Sequence, residues 1–372
     1  MKENDMKKTL CLLAAVILVA SSQASLASAP SNFSYIEKTV TVGNKSYNVK
    51  YVVIDGATSP VDLYFGLAKQ RLFVRDDPVK IAQYEGAVAA MNGPYHNESG
   101  GWSNYLFDSH YVKNGKPVRI ANMGSNFCVT TKGEWLFGRL RFSMMGKVKE
   151  NLLPPSLKDV YVSGLNQPPS ASSTTIYTSE WGSKTPTTYP SICVTLEKGV
   201  VTSVKAGPVA IPKDGYVLVY TGKNRERCDA KRWPKGYIRK GLHINIYWKS
   251  EKGNEVDLGK WKECRFIFGG SPTVVRDGKP YWNLTADKHT NNAALSYEAK
   301  RSAFGTGPGK VYFVVFTDEI KIQEESAVLI QLGVKNAFNL DGGCSSFLWF
   351  DGQLKSEVCR NLPMVVVAKP RK

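Results

Sequence analysis

The sequence lacks an apolar run of the length, about 20 residues, that a membrane-spanning helix needs. A shorter apolar run, from Leu10 to Ala20, follows Lys7 and Lys8 and precedes small residues through Ala29. This is the layout of a secretory signal peptide, with a retained signal anchor as the alternative. We therefore predict a signal peptide over residues 1–27, a secreted, periplasmic or cell-envelope location, and no transmembrane span once the signal is removed.

Acidic residues are few relative to basic ones. The chain has 32 Asp and Glu against 49 Lys and Arg, a net charge of +17 at pH 7. This sign favours anionic partners such as phosphate-bearing glycans, lipid head groups, cell-wall polymers or nucleic acid. Helix-turn-helix, zinc-finger and RNA-binding signatures are lacking, so we expect no specific nucleic-acid binding. The basic stretch at 225–240 is interpreted as a solvated loop, with an electrostatic guide for a phosphorylated polymer as the alternative.

The cysteines lack the spacings of a zinc knuckle or a Cys-x-x-Cys redox pair. An even number remains after the signal peptide, which fits an oxidising compartment but leaves the connectivity open. We expect Cys344 to form a disulfide with one of the others, a nucleophilic role being the alternative. No metal-ligand set stands out, and we predict no cofactor, although a divalent ion beside phosphate stays open. The six cysteines are Cys128, Cys193, Cys228, Cys264, Cys344 and Cys359.

Segments with a helical period are scarce, and most apolar runs are short, alternating and separated by turns. Residues 35–54 are typical of a hairpin that turns at Gly43-Asn44. Residues 324–333 predict a helix, with acids in the first turn and Gly333 at the end. The fold class we expect is α+β, with β-rich mixed sheets and a few short helices. Residues 28–372 form one domain in this interpretation, with an elaborated middle region at about 150–262.

The most informative segment follows the apolar run that ends at Leu340. Here Asp341, two glycines and the hydroxyls of Ser345 and Ser346 lie between two predicted strands. Glycine lets the backbone turn tightly and lets a ligand approach the peptide groups, while the polar side chains supply donors and acceptors. The pattern therefore indicates a site, and an ordinary Asp-Gly turn between strands is the alternative.

Residues 339–346 resemble the Asn-Leu-Asp-Gly-Gly-Gly-Ser-Ser signature of the phosphodiester glycosidase family. Other parts of the family pattern follow the expected order: an apolar strand leading into Asn-Gly at 87–95, a Gly-rich strand with proline at 269–279, an Arg-Ser-Ala-Phe-Gly element from Arg301, and a strand ending in an acid at 311–318. The resemblance covers residues 87–95 and 265–369. Two departures are Cys344 in place of the third glycine, and Pro94-Tyr95 where the family has Gly-Phe-Phe.

The resemblance implies a secreted hydrolase that cleaves the bond between an anomeric sugar carbon and a phosphodiester, releasing free sugar and a phosphomonoester. A phosphate departs easily, so cations and backbone amides can hold it while a carboxylate acts at the sugar. We assign Arg301 to the phosphate because its planar fork binds two oxygens at once. Asp341 is the base at C1, or alternatively the nucleophile, and Asp318 is a second carboxylate or an orienting group.

The remaining candidates contact the substrate, a phosphorylated glycan or sugar-1-phosphodiester. Structural alternatives are that Asp318 caps a turn, Arg301 pairs with a structural acid and Ser346 satisfies backbone groups. His96 is expected at the surface, with a substrate contact as the alternative. Other functions to weigh are a non-catalytic binder of phosphorylated or anionic envelope glycans and an envelope adhesion protein. The candidate substrate-binding residues are Asn92, Gly93, Gly342, Gly343, Ser345 and Ser346.

Overall fold

The computed structural model describes residues 29–56, 59–96, 107–232, 234–289 and 293–371. The predicted signal peptide and most of the polar loop after His96 lie outside the described residues. Within them the strands form four sheets, and strands and helices are numbered in chain order. The helices are α1 (Pro78–Glu85), α2 (Leu258–Lys262), α3 (Leu284–Asp287), α4 (Ala293–Ser296) and α5 (Ile322–Gln331).

The first and second sheets contribute the strands that end at the candidate site. In spatial order, the first contains β1 (Phe33–Val42), β2 (Lys45–Asp55), β21 (Lys310–Phe316), β20 (Ser302–Gly307), β22 (Asn336–Asn339), β18 (Thr273–Arg276) and β19 (Lys279–Pro280). The second contains β24 (Gln353–Leu354), β23 (Leu348–Phe350), β4 (Ala89–Asn92), β25 (Met364–Pro370) and β3 (Val61–Leu67). Every strand pair in these two sheets is antiparallel.

The third and fourth sheets pack against each other. The third contains β6 (Lys116–Arg119), β5 (Tyr111–Lys113), β17 (Cys264–Gly270), β7 (Ser125–Thr130) and β8 (Trp135–Gly138). The fourth contains β10 (Asp159–Tyr161), β9 (Phe142–Lys149), β16 (His243–Ser250), β14 (Val200–Ala206), β13 (Ser191–Glu197), β15 (Gly215–Thr221), β12 (Thr174–Tyr177) and β11 (Gly164–Leu165). In this fourth sheet β11 and β12 run parallel.

One apolar core joins the first three sheets. Phe65 from β3, Phe127 and Phe268 from β7 and β17, and Phe304 and Phe338 from β20 and β22 are all fully buried in it. The ring centroids of Phe127 and Phe304 are 4.9 Å apart, and those of Phe65 and Phe268 are 5.2 Å apart. Aromatic pairs at this spacing bury large apolar areas and prefer particular ring orientations. The packing therefore fixes how the sheets sit against one another, and with them the strand ends at the site.

A second core fills the space between the third and fourth sheets, and the disulfide Cys128–Cys264 lies within it. The region at about 150–262 contributes every strand of the fourth sheet except β9. The basic stretch at 225–240 forms local contacts there: Arg232 pairs with Glu226 at 3.1 Å, and Arg227 donates to the carbonyl of Asp159 at 3.0 Å. The domain limits expected from the sequence stay a prediction.

The expectation of a strand-rich fold with few helices is confirmed, although α+β is a loose label for it. The sheets are antiparallel apart from the β11 and β12 pair, so mixed pairing holds in one sheet only.

The predicted hairpin is β1 and β2, with Gly43 at φ 59° in its turn. The predicted helix at 324–333 is α5, with Gly333 at φ 94° just beyond its end. Each described helix is too short or too polar to span a bilayer.

Helix α5 buries a carboxyl group against the first sheet. Glu325 is fully buried, and neither of its carboxyl oxygens has a hydrogen-bond partner among the described residues. Burial raises the pKa of Glu325 to about 8, and the nearby charge of Arg301 only partly opposes this shift. The folded protein therefore keeps a proton on Glu325 at pH values where the unfolded chain has released it.

This burial predicts a pH-dependent loss of stability. The folded pKa is above the unfolded value of about 4.5, so stability is full below pH 4.5 and falls as pH rises toward 8. Glu325→Gln removes this titration, so the free energy of unfolding of the variant should not share the fall seen in the wild type. We expect the difference between variant and wild type to increase by on the order of a few kcal/mol from pH 5 to pH 8.5. Urea unfolding at both pH values measures this. The control is Glu319→Gln, at an exposed position; equal pH dependence in all three proteins would contradict the assignment.

Candidate functional site

The carboxylate of Asp341 lies just past the end of β22, in the turn formed by residues 341–346, which we call the Asp341 turn. Its Oδ1 accepts a hydrogen bond from the backbone N–H of Gly342 at 3.0 Å. Its Oδ2 accepts from Ser345 Oγ and from Arg360 Nη2, both at 2.6 Å. The residue is 8% exposed. Donors on both oxygens fix the plane of the carboxylate, as a catalytic carboxylate requires.

The backbone of Asp341 is held by residues from two sheets. Asn92, at the end of β4, donates from Nδ2 to the carbonyl of Asp341 at 2.6 Å and accepts at Oδ1 from the N–H of Phe347 at 3.1 Å. Ser302 Oγ donates to the same Asp341 carbonyl at 2.8 Å, and the N–H of Asp341 donates to Gly93 O at 3.1 Å. Asn92 is fully buried, and both ends of its amide bind main-chain groups. This placement favours a positioning role for Asn92, and its predicted contact with substrate stays a prediction.

Arg301 lies beside Asp341 on the neighbouring strand. Backbone hydrogen bonds join Leu340 to Ser302 at 2.9 Å and Gly343 to Lys300 at 2.8 Å, on either side of the two residues. The guanidinium donates to the carbonyls of Ile320 and Tyr297 at 2.9 and 2.8 Å. Arg301 is 2% exposed. The structure thus brings together the two residues that sequence reasoning singled out.

Tyr95 links the two charged residues electrostatically. Burial raises the pKa of its hydroxyl, Arg301 lowers it and Asp341 raises it. The hydroxyl accepts a hydrogen bond from Asn339 Nδ2 at 3.0 Å. On the other side of Tyr95 the ring of His289 is 6.0 Å away, and His289 Nδ1 is 2.9 Å from Ser271 Oγ. The Gly-rich strand that resembles the family pattern therefore reaches the same site, because Ser271 immediately follows β17.

His96 is not the surface histidine that the sequence suggested. Its side chain is 2% exposed, and its Nδ1 lies 3.6 Å from Asp341 Oδ2. His96 also pairs through its backbone with Phe107. The loop between these two residues lies outside the described residues. The candidate site therefore contains the imidazole of His96 beside the carboxylate of Asp341.

Arg360 is a residue that sequence reasoning missed. Its Nε donates to Ser345 Oγ at 2.7 Å, and its Nη2 reaches Asp341. The preceding residue, Cys359, forms a disulfide with Cys344 and donates from its backbone N–H to Cys344 O at 3.1 Å. The expectation that Cys344 forms a disulfide is confirmed. The spacing of the cysteines does not decide their pairing, and it is the Cys344–Cys359 disulfide that brings Arg360 to the Asp341 turn.

The departure at Cys344 has a structural explanation. Its side chain is committed to the disulfide and the residue is exposed, while Gly343 before it has φ 58°, a conformation that glycine adopts without strain. Gly342 has no such φ, but a Cβ there would lie 2.5 Å from Lys300 O. Glycine at 342 and 343 is thus required for close packing and for turning, and their contact with a ligand stays a prediction.

Asp318 and Ser346 are placed differently from Asp341. Asp318 lies past the end of β21, and its Oδ2 accepts from the backbone N–H of Asn48 at 2.6 Å. This contact is with the backbone of β2 and not with the turn that follows Asp318, and a catalytic role for Asp318 stays a prediction. Ser346 is 2% exposed, and its hydroxyl has no hydrogen-bond partner among the described residues. Its hydroxyl therefore does not satisfy a described backbone group.

No cluster of three or more His, Cys, Asp or Glu suited to a metal ion occurs in the described ranges.

Comparison with known proteins gives a family for the second half of the chain. Residues 190–368 match the family model of phosphodiester glycosidase, and this range contains Arg301, Asp341 and Arg360. No protein of curated function matches the sequence significantly.

Solved structures show where the overall fold recurs. A hypothetical protein from Synechocystis superposes with a TM-score of 0.74 at 21% identity over 91% of this chain, which spans only 62% of the Synechocystis chain. A predicted exported protein of Burkholderia pseudomallei has a TM-score of 0.67 at 18% identity over 89% of this chain and 75% of its own.

The zebrafish N-acetylglucosamine-1-phosphodiester alpha-N-acetylglucosaminidase catalytic domain, auto-inhibited by its pro-peptide, has a TM-score of 0.48 at 14% identity over 93% of this chain and 87% of its own. That similarity is too low to support an argument about the site. The first two structures establish the fold alone, and the family rests on the sequence model. The similarity to the phosphodiester glycosidase family is therefore established for residues 190–368, just under half of the chain.

Proposed function

We propose that the chain hydrolyses the bond between an anomeric sugar carbon and a phosphodiester, releasing free sugar and a phosphomonoester. Water supplies the new hydroxyl at C1, and the oxygen that links C1 to phosphorus leaves with the phosphate. The observation that carries this proposal is the oriented carboxylate of Asp341, in the turn just past β22 and beside Arg301. The family match of residues 190–368 supports the same reaction class.

The departure of phosphate from the sugar suits the guanidinium groups that lie around the Asp341 carboxylate. Phosphate is a good leaving group, so little protonation of the departing oxygen is required, and cationic side chains are sufficient to stabilise it. Arg360 donates to Asp341 and Arg301 lies beside it in the neighbouring chain segment, and each has a planar fork suited to phosphate oxygens. Asp341 then activates water at C1, or attacks C1 itself in the alternative with a covalent intermediate.

The compartment we propose is extracytoplasmic. Two disulfides, Cys128–Cys264 and Cys344–Cys359, fit an oxidising environment, and Cys193 and Cys228 are free. The substrate that we propose is a phosphorylated glycan of the cell envelope or its surroundings, because the chain is strongly basic.

A non-catalytic glycan binder was the main alternative because Cys344 replaces a family glycine. The disulfide removes this reason for doubting turnover, because the Cys344 side chain is bonded to Cys359 and the residue is exposed. We therefore retain hydrolysis as the proposed function, and binding to the same glycans without any released sugar would select the alternative.

Replacing Asp341 tests the catalytic assignment. Asp341→Asn keeps the shape and removes the charge, and we expect kcat to fall by at least about hundredfold because the base or nucleophile is lost. Mass-spectrometric detection of free sugar from a defined sugar-1-phosphodiester measures this. The matched control is Asp277→Asn, at an exposed turn with φ 50°, which asparagine also tolerates. Full activity in Asp341→Asn would remove this residue from the mechanism.

Arg301→Lys separates phosphate binding from structural support. Lysine keeps the charge but loses the planar fork, so we expect inhibition by the phosphomonoester product to weaken about tenfold. Arg276→Lys, at a partly exposed ion pair with Glu255, is the control. A lower melting temperature with an unchanged inhibition constant would show that Arg301 only ties together the carbonyls of Ile320 and Tyr297.

The exposed disulfide predicts sensitivity to reductant. Cys344 and Cys359 are exposed, whereas Cys128 and Cys264 are buried, so a mild reductant should open the first bridge before the second. The double variant Cys344→Ser with Cys359→Ser should lose about tenfold in kcat, because Arg360 is no longer held at Asp341, and should no longer respond to mild reductant. Cys193→Ser is the control at a free, buried thiol. Unchanged kcat in the double variant would contradict the role given to this bridge.

A further inference from the structure

A pocket lies beside the Asp341 turn, and Ser346 of that turn lines it. It has a volume of about 570 Å³, within the range of ordinary ligand sites. Its walls come from the ends of β2 and β21, from the turn itself and from the segment after β24. Three lysines line it, Lys50, Lys300 and Lys355, against one acidic residue, Glu357. We call it the lysine pocket.

The contacts that hold the three lysines lie at the surface, and among them Lys355 Nζ is 4.9 Å from the centroid of the Tyr35 ring. Lys300 Nζ is 3.3 Å from Glu357, whose side chain is 93% exposed, and Lys50 Nζ is 3.8 Å from Glu37. Lys355 Nζ donates to Gln353 at 2.6 Å. Exposed pairs of this kind contribute little to stability. An anion that enters the pocket can therefore replace these partners at low cost.

A buried hydroxyl in the pocket wall points to a ligand independently of charge. Ser346 lines the pocket, is 2% exposed, and has no hydrogen-bond partner for its Oγ among the described residues. Leaving such a group unsatisfied costs about 1–3 kcal/mol. The neighbouring Ser356, which also lines the pocket, uses its own hydroxyl on Leu348 N and Ser346 O. An oxygen-rich ligand would satisfy Ser346 Oγ.

The lysine pocket and the candidate active site share two chain segments. Ser345 binds Asp341 while the next residue, Ser346, lines the pocket. Arg301 lies beside Asp341 while the preceding residue, Lys300, lines the pocket. Consecutive Cα atoms are about 3.8 Å apart, so the pocket and the site are separated by little more than the thickness of one chain segment.

We propose that the lysine pocket is an anion subsite that binds a second negatively charged group of the substrate, a phosphate or a carboxylate beyond the scissile phosphodiester. The proposal rests on the proposed function and narrows its substrate class to glycans that carry repeated negative charge. Lysine ammonium groups bind such oxygens as point charges, and the Ser346 hydroxyl adds a neutral hydrogen-bond donor.

The test uses two synthetic substrates with the same sugar-1-phosphodiester, one with an uncharged aglycone and one with an aglycone that bears a second phosphate. For the wild type we expect KM to be about tenfold lower on the second substrate. In the triple variant Lys50→Gln, Lys300→Gln and Lys355→Gln the ratio of the two KM values should fall to about one. The matched control is Lys116→Gln, Lys198→Gln and Lys213→Gln, at lysines that line a different pocket. Equal ratios in the two triple variants would overturn the proposal.

A binding arm separates failure of the subsite from failure of the proposed function. Pyrophosphate is titrated into wild type, Asp341→Asn and both triple variants, and binding is followed by calorimetry. Binding that survives Asp341→Asn and is lost only in the lysine-pocket variant supports the subsite even if neither substrate is hydrolysed. Binding that both triple variants lose equally, or that the wild type lacks, overturns the subsite whatever the outcome for turnover.

Discussion

The buried amide of Asn92 is the contact on which the arrangement of the site depends. It ends β4 in the second sheet and holds both the Asp341 carbonyl, beyond β22 of the first sheet, and the N–H of Phe347. Leaving these groups unpaired in a fully buried position would cost about 1–3 kcal/mol each. The amide thereby joins two sheets at the one turn that carries the candidate carboxylate, and the aromatic core beneath supplies the rigidity that this turn needs.

The Cys344–Cys359 disulfide positions Arg360 at the Asp341 turn. The cross-link brings the chain from β24 back over the turn, so that Arg360 reaches both Asp341 and Ser345. A family position that normally requires glycine has thus become an anchor for a guanidinium group. The same returning segment, through Lys355 and Ser356, forms one wall of the lysine pocket. One covalent link therefore influences the carboxylate and the second anion site together.

The sequence allowed the strand-rich fold, the hairpin of β1 and β2, helix α5 and the adjacency of Asp341 and Arg301 to be predicted, because periodicity, turn residues and a motif of unusual composition are local signals. Arg360 was missed because its position depends on which cysteines pair, and spacing does not decide that. His96 was expected at the surface because nothing near it in the sequence shows that β4 ends beside Asp341. Asp318 follows a strand as expected, yet its carboxylate binds Asn48, since the backbone of the neighbouring strand competes for any acceptor at that turn.

The central claim is that water attacks the sugar carbon and that the bond from C1 to oxygen breaks. Hydrolysis of a defined sugar-1-phosphodiester in water labelled with heavy oxygen measures this directly, since mass spectrometry shows which product carries the label. We expect heavy oxygen in the released sugar and none in the phosphomonoester. Label in the phosphomonoester would show that water attacks phosphorus, and the glycosidase assignment built on Asp341 would then be wrong.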